Sequence, residues 1–176
     1  MKNPATEKAI ERLKDKLQRE GHAAILFVCL GNICRSPAAD EIMRQELKSR
    51  GLDDKIFIDS GGLYAGHRGE LPDHRMRIHA RRRGYELTHR SRPVKYSDFE
   101  DFDLIVGMDD RNISALKGFA RTEDEAAKIV RMTDFSRRIT HYDHVPDPYY
   151  EGAEGFELVL DLLEDACGSL ADSIIE

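Results

Sequence analysis

Cysteine is scarce in this chain, three among 176 residues. So low and odd a number excludes a disulfide-stapled secreted scaffold and points to a reducing cytoplasm. Long apolar runs are missing too. None approaches the ~18 residues of a membrane span, so no span is expected. Residues 1–21 are charged and lack the apolar core of a signal peptide. Internal repeats, low-complexity tracts and interdomain linkers are also absent. With 40% hydrophobic and 34% charged residues, the composition suits a soluble globule. The length allows one domain with a sizeable core, and no comfortable second one.

The formal net charge is −6, which disfavours non-specific binding to nucleic acid. Positive charge is nevertheless concentrated: Arg75, Arg77, Arg81, Arg82 and Arg83 crowd one segment, with Arg90 and Arg92 close behind. That segment reads either as a solvated helix face or as a positive field that draws anionic substrates. No aromatic ladder accompanies it, so a nucleic-acid partner is not expected.

Hydrophobic periodicity predicts alternating strands and helices. Strands are expected over 23–28, 55–59 and 103–108, with a weaker one over 128–132. Helices are expected over 5–19, 37–49, 72–83 and 155–170, and another starting near Asp109 and Asp110. The Ser60-Gly61-Gly62 triplet reads as a turn. This alternation implies an α/β fold, a single domain with a parallel, doubly wound sheet of about four strands flanked by helices. Residues 1–22 form an N-terminal helical extension and 23–176 the domain proper. Monomer and weak dimer both remain open.

The most specific stretch is Cys29-Leu30-Gly31-Asn32-Ile33-Cys34-Arg35-Ser36-Pro37, a cysteine and an arginine at C-x5-R spacing behind an apolar strand. Ser36 and Pro37 suit the N-cap and first turn of the following helix. Strand, tight loop and helix N-terminus make an anion cradle, because free N–H groups and the helix dipole converge there. A free thiol titrates near ~8.5, and helix N-termini with nearby cations lower that to ~3.5–7.5. Cys29 is therefore the expected thiolate nucleophile. Arg35 can bridge two oxygens of a phosphate or other oxyanion with its planar fork. Backbone N–H groups of Leu30, Gly31, Asn32, Ile33, Cys34 and Arg35 complete the cradle, and Ser36 Oγ can donate to the sulfur. The G-x-x-x-x-G-K-[ST] pattern of a nucleotide-binding loop is missing.

This loop resembles the phosphate-binding loop of the low-molecular-weight protein tyrosine phosphatases. Asp147-Pro148-Tyr149-Tyr150, far downstream, resembles that family's general-acid loop, and the likeness spans roughly residues 23–173. It implies a cofactor-free, cysteine-dependent phosphoric monoester hydrolase that cleaves phosphotyrosine through a phosphocysteine intermediate. Cys29, Arg35 and Asp147 would be catalytic, with Asp147 protonating the leaving phenolate. By the same resemblance Asn32 holds the loop in a strained turn, with Ser60 and His89 as its partners, and Asp109 orients Arg35. Asn tolerates φ > 0, a physical reason for its place there. Ile33, Tyr64, His67, Tyr149 and Tyr150 would line the substrate slot. Family members often carry an aromatic near Gly66, so Tyr64 or His67 has to stand in for it. The implied partners are phosphotyrosine proteins and a tyrosine kinase, for which Tyr149 and Tyr150 are candidate sites.

Cys34 is either a packing residue or a resolving thiol that closes a reversible disulfide with an oxidised Cys29. Cys167 reads as core. Arsenate reductases share the loop but need a further cysteine pair, and none lies between Cys34 and Cys167. Protein-arginine phosphatases tend to carry Thr at the place of Ile33, and that activity is the alternative, beside a phosphate-dependent binding or regulatory protein. His141-x-x-His144 with Asp143 and Asp147 offers metal-ligand types on an irregular loop, yet no metal is expected.

Overall fold

The computed structural model describes residues 3–176. Four parallel strands form one sheet in the order β2-β1-β3-β4: β1 Ala23–Cys29, β2 Ile56–Gly62, β3 Leu104–Gly107 and β4 Ile129–Arg131. The apolar run of β1 is continuous because this strand lies inside the sheet and is covered on both faces. Its side chains divide strictly by parity. Ala23, Ile25, Phe27 and Cys29 enter the larger core, while Ala24, Leu26 and Val28 enter a smaller one with Phe99, Phe102 and Leu116.

The larger core is roofed by α1 (Pro4–Glu20), α2 (Arg35–Ser49), α3 (His74–Arg81) and α7 (Ala153–Ile175). The smaller is covered by α4 (Asp98–Asp101) and α5 (Asp110–Phe119), and α6 (Glu123–Ala126) leads into β4. From β1 the chain crosses to β2 on one side, and β3 then lies on the other. The crevice beyond the carboxyl ends of β1 and β3 is thus a topological switch point, where open α/β sheets bind ligands.

Several expectations need correction. The 60–62 turn is the end of β2, where Gly62 pairs with Cys29. α2 starts at Arg35 with Cys34 at its N-cap, so Ser36 is no cap. Its hydroxyl is engaged by the loop instead. α3 is shorter than 72–83, and α7 runs further than 155–170 because Leu170, Ala171 and Ile174 still face the core. α4 and α6 are single turns, too short for periodicity to reveal, and the Thr122 side chain caps α6.

α1 sends Ala9, Ile10 and Leu13 into the larger core, and its Thr6 hydroxyl donates to Asp134 across 2.6 Å. Met1 and Lys2 of the expected extension lie outside the described residues. The arginine-rich segment is neutralised in part. Arg83 meets Glu157, Asp161 and Glu164, Arg92 meets Asp59 and Asp98, and Arg81 meets Glu86. Among the described residues, no helix is long and apolar enough to cross a membrane.

Candidate active site

Cys29 ends β1 and is buried at the base of a cavity beyond the sheet. The following loop turns its carbonyls outward. Those of Cys29 and Leu30 accept from the N–H groups of Leu63 and Tyr64, that of Gly31 from the Ser91 hydroxyl, and that of Ile33 from the Asp73 N–H. The N–H groups of Gly31 to Cys34 find no acceptor among the described residues. Free N–H groups gathered in this way suit an anion. The Ser36 N–H reaches Cys29 Sγ at 3.4 Å, and Ser36 Oγ stands 3.0 Å from that sulfur.

Asn32 makes this turn possible. Its φ is 56°, the one positive value outside glycine among the described residues. Its Nδ2 donates to Ser36 Oγ and Ser60 Oγ, and its Oδ1 accepts from the Arg92 N–H and faces His89 Nε2. Gly62 lets β2 come close, since a Cβ there would lie 3.0 Å from the Leu30 carbonyl oxygen.

Arg35 is 2% exposed, an unusual position for a guanidinium. Its Nη1 donates to Asp109 Oδ2 at 2.7 Å and to the Val145 carbonyl at 2.9 Å. Burial opposes its charge, yet the Cys29 charge and the Asp109 hydrogen bond hold its pKa above the ordinary value. Asp109 serves two masters: Oδ1 caps α5 through the Asn112 N–H and Oδ2 grips Arg35. Burial pushes its carboxyl up, but those hydrogen bonds win and leave it below the usual carboxylate range. Asp147 arrives from the loop before α7. Its Oδ2 is 3.7 Å from Arg35 Nη2, and its Oδ1 accepts from the Tyr149 N–H.

Rings rim the cavity in sequence. Tyr64 meets His67 edge-on at 5.9 Å, His67 meets Tyr149 at 6.4 Å, and Tyr149 meets Tyr150 at 5.0 Å. Ile33 and Leu30 add aliphatic wall. Tyr64 lies where a side chain at Gly66 would sit: a Cβ there would be 2.2 Å from the Tyr64 ring. Of the two expected stand-ins, Tyr64 takes the space beside Gly66, and His67 borders the same cavity.

Cys34 also borders the cavity, and burial pushes its thiol well above its ordinary pKa. Cys167 is fully buried in the core. The two loop histidines do not converge with Asp147, for His141 meets the Tyr142 ring at a tilt and His144 pairs with Asp143 at the surface. A different trio, Asp40, Asp59 and His89, gathers behind the loop. Arg44 and Arg92 already neutralise the two carboxylates, although Asp40 Oδ2 itself has no hydrogen-bond partner among the described residues. Sequence reasoning missed Arg92, Ser91, Gly62 and the Val145 carbonyl. Three of these act through backbone atoms or a missing Cβ, which carry no side-chain signal.

Similarity to known proteins places the chain in a family. The family described as low molecular weight phosphotyrosine protein phosphatase matches residues 24–176. The low molecular weight protein-tyrosine-phosphatase YfkJ of Bacillus subtilis is 40% identical over 152 residues, covering 86% of this chain and 95% of the relative. Its crystal structure superposes with a TM-score of 0.82, covering 89% of this chain and 97% of that one. A protein tyrosine phosphatase structure from Entamoeba histolytica, with Hepes in its active site, is 45% identical at TM-score 0.81. It covers 84% of this chain and 94% of its own. A Drosophila arginine phosphatase structure is 30% identical at TM-score 0.77, covering 82% and 93%. A matched family description over nearly the whole chain, and relatives of this identity, leave one conclusion: the chain belongs to the low molecular weight phosphotyrosine protein phosphatase family.

Proposed function

We propose that this protein hydrolyses phosphotyrosine in proteins. One observation carries the reading. A cysteine sulfur, a ring of free N–H groups, a buried arginine and a carboxyl oxygen 3.7 Å from that arginine all converge on one aromatic-rimmed cavity. The three demands of phosphoryl transfer are a nucleophile, neutral surroundings for the equatorial oxygens, and a proton for the leaving oxygen.

Cys29 Sγ attacks phosphorus as thiolate and the P–O(aryl) bond breaks. Asp147 gives its proton to the departing phenolate oxygen. Arg35 and the loop N–H groups hold the three equatorial oxygens, with Asp109 fixing the guanidinium plane. Asp147, now a base, takes a proton from water as its oxygen attacks the phosphocysteine. The P–S bond breaks, phosphate leaves, and the Ser36 hydroxyl stabilises the returning thiolate.

Tyr64, His67, Tyr149 and Tyr150 favour an aryl ester over an alkyl one. The Drosophila arginine phosphatase keeps phosphoarginine as the rival substrate. Free thiols and a thiolate mechanism favour a reducing compartment, the cytoplasm, where a tyrosine kinase would supply the substrates. Residues 1–22 we take as an extension of the domain, because the family match begins at residue 24.

Turnover of an aryl phosphate, a phosphotyrosine peptide and a phosphoarginine peptide in chelator tests the reading. Wild type should cleave the first two, Cys29→Ser should be inactive and Asp147→Asn slow. Preference for phosphoarginine would replace the substrate, and phosphate binding without any turnover would favour a binding protein.

A further inference from the structure

The Asp147 carboxyl must present a proton to the leaving oxygen, yet it sits on a loop without regular structure, 41% exposed. Something must hold it. Its Oδ1 accepts from the Tyr149 N–H at 3.1 Å, which leaves Oδ2 facing Arg35 and the cavity. The Tyr149 carbonyl in turn accepts from Arg75 Nη2 at 2.8 Å. The Arg75 guanidinium lies 5.5 Å from the Tyr149 ring centroid and 4.8 Å from that of Phe156 on α7. Its Nε and Nη2 also grip both oxygens of Asp73, at 3.1 and 3.0 Å. Asp73 caps α3, and its own N–H donates to the Ile33 carbonyl of the anion loop at 2.7 Å.

These contacts form an unbroken line from the anion loop to the carboxyl: Ile33, Asp73, Arg75, Tyr149, Asp147. We propose that Arg75 is the positioning residue for Asp147, fixing through Tyr149 both the distance of the acid from the anion loop and the choice of Oδ2 as its proton-bearing oxygen. This rests on Asp147 being the general acid. Arg75 bonds to Asp73 and Tyr149 and reaches the anion loop only through Asp73, so its effect should fall chiefly on the proton given to the leaving group. A guanidinium suits the task because one planar fork serves a carboxylate, a carbonyl and two ring faces at once.

The test compares kcat/KM, which reports the first chemical step, for phenyl phosphate and 4-nitrophenyl phosphate. Phenolate is a poor leaving group that needs the acid, and 4-nitrophenolate needs it far less. A positioned acid contributes ~10²–10⁴-fold, and a displaced one should forfeit part of that. Arg75→Ala and Arg75→Met should each lose about tenfold on phenyl phosphate and much less on the nitro ester. Arg75→Met keeps the packing on Phe156 and serves if the alanine variant folds poorly. Inhibition by inorganic phosphate should be unmoved. On an Asp147→Asn background the same changes should cost nothing more on phenyl phosphate.

Equal loss on both esters, or full additivity with Asp147→Asn, would overturn the proposal and leave Arg75 a structural residue. If Asp147→Asn discriminates between the esters and the Arg75 variants do not, positioning alone fails. If Asp147→Asn treats both esters alike, the general-acid reading fails and the proposal with it.

Discussion

Asn32 Nδ2 donates to Ser36 Oγ across 2.8 Å, and this bond sets the direction of the next one. The amide orientation follows from Oδ1 accepting from the Arg92 N–H, a group that only donates. Nδ2 then has two hydrogens and spends them on Ser36 and Ser60. Ser36 Oγ, already an acceptor, keeps its own hydrogen for Cys29 Sγ at 3.0 Å. His89 Nε2, 3.0 Å from the same Oδ1, carries a proton by the same logic. An asparagine with no contact to the sulfur thus aims a donor at it.

Asn32 combines a strained backbone with a buried network, and two substitutions separate the roles. Asn32→Ala should cost about 2–4 kcal/mol, from an αL penalty of ~1–3 and lost buried hydrogen bonds. Asn32→Gly accepts φ 56° freely, so it should recover part of the stability while remaining slow in turnover. Urea unfolding and kcat on one set of proteins check both. Equal stability of the two variants would remove backbone strain from the account.

The Asp109–Arg35 pair predicts a pH-dependent stability. The carboxyl lies below its ordinary pKa when folded, so its contribution is complete above the unfolded pKa of ~4 and fades as pH falls through the lower folded value. Asp109→Asn retains a good N-cap for α5 and so isolates the pairing with Arg35. Wild type should exceed it by about 1–3 kcal/mol near neutrality, and the gap should close below about pH 4. A gap that persists unchanged at pH 3 would contradict the assignment.

Gly66 and Tyr64 should act as one unit. Any Cβ at residue 66 meets the Tyr64 ring at 2.2 Å, so Gly66→Ala must expel that ring. A ring contact is worth ~0.5–1.5 kcal/mol, which corresponds to a KM for an aryl phosphate raised about twofold to tenfold. Tyr64→Ala should give a similar rise, the double variant no more than either, and phosphate inhibition should stay constant. Additive effects would show that Gly66 serves some other purpose.

Peroxide should reveal a role for Cys34. As a resolving thiol, Cys34 would attack a sulfenic acid formed on Cys29, giving up its own proton with the sulfenic oxygen as water and closing a disulfide. Inactivated wild type should recover with added thiol, and Cys34→Ser should recover markedly less. Equal recovery would leave Cys34 a packing residue.

The parts of this molecule readable from residue order are those built from neighbours in the chain. An apolar run buried on both faces can only lie inside the sheet, so β1 was plain. The cradle after it depends on nine consecutive residues, and C-x5-R marks its nucleophile and its cation. Asp109, Ser60 and His89 entered by resemblance, since no local pattern distinguishes them from turn or surface residues.

What residue order could not convey is pairing across the fold. Arg35 and Val145 are 110 residues apart, Asn32 and Arg92 are 60, and Arg75 and Tyr149 are 74. Each pair exists because the parallel sheet ends its strands side by side and brings the segments that follow β1, β2 and β4 to one crevice. The partners are often a carbonyl, an N–H or the space of an absent Cβ, groups that every residue or any glycine could offer. Their selection is a matter of position in space, and packing of the two cores against the sheet sets that position.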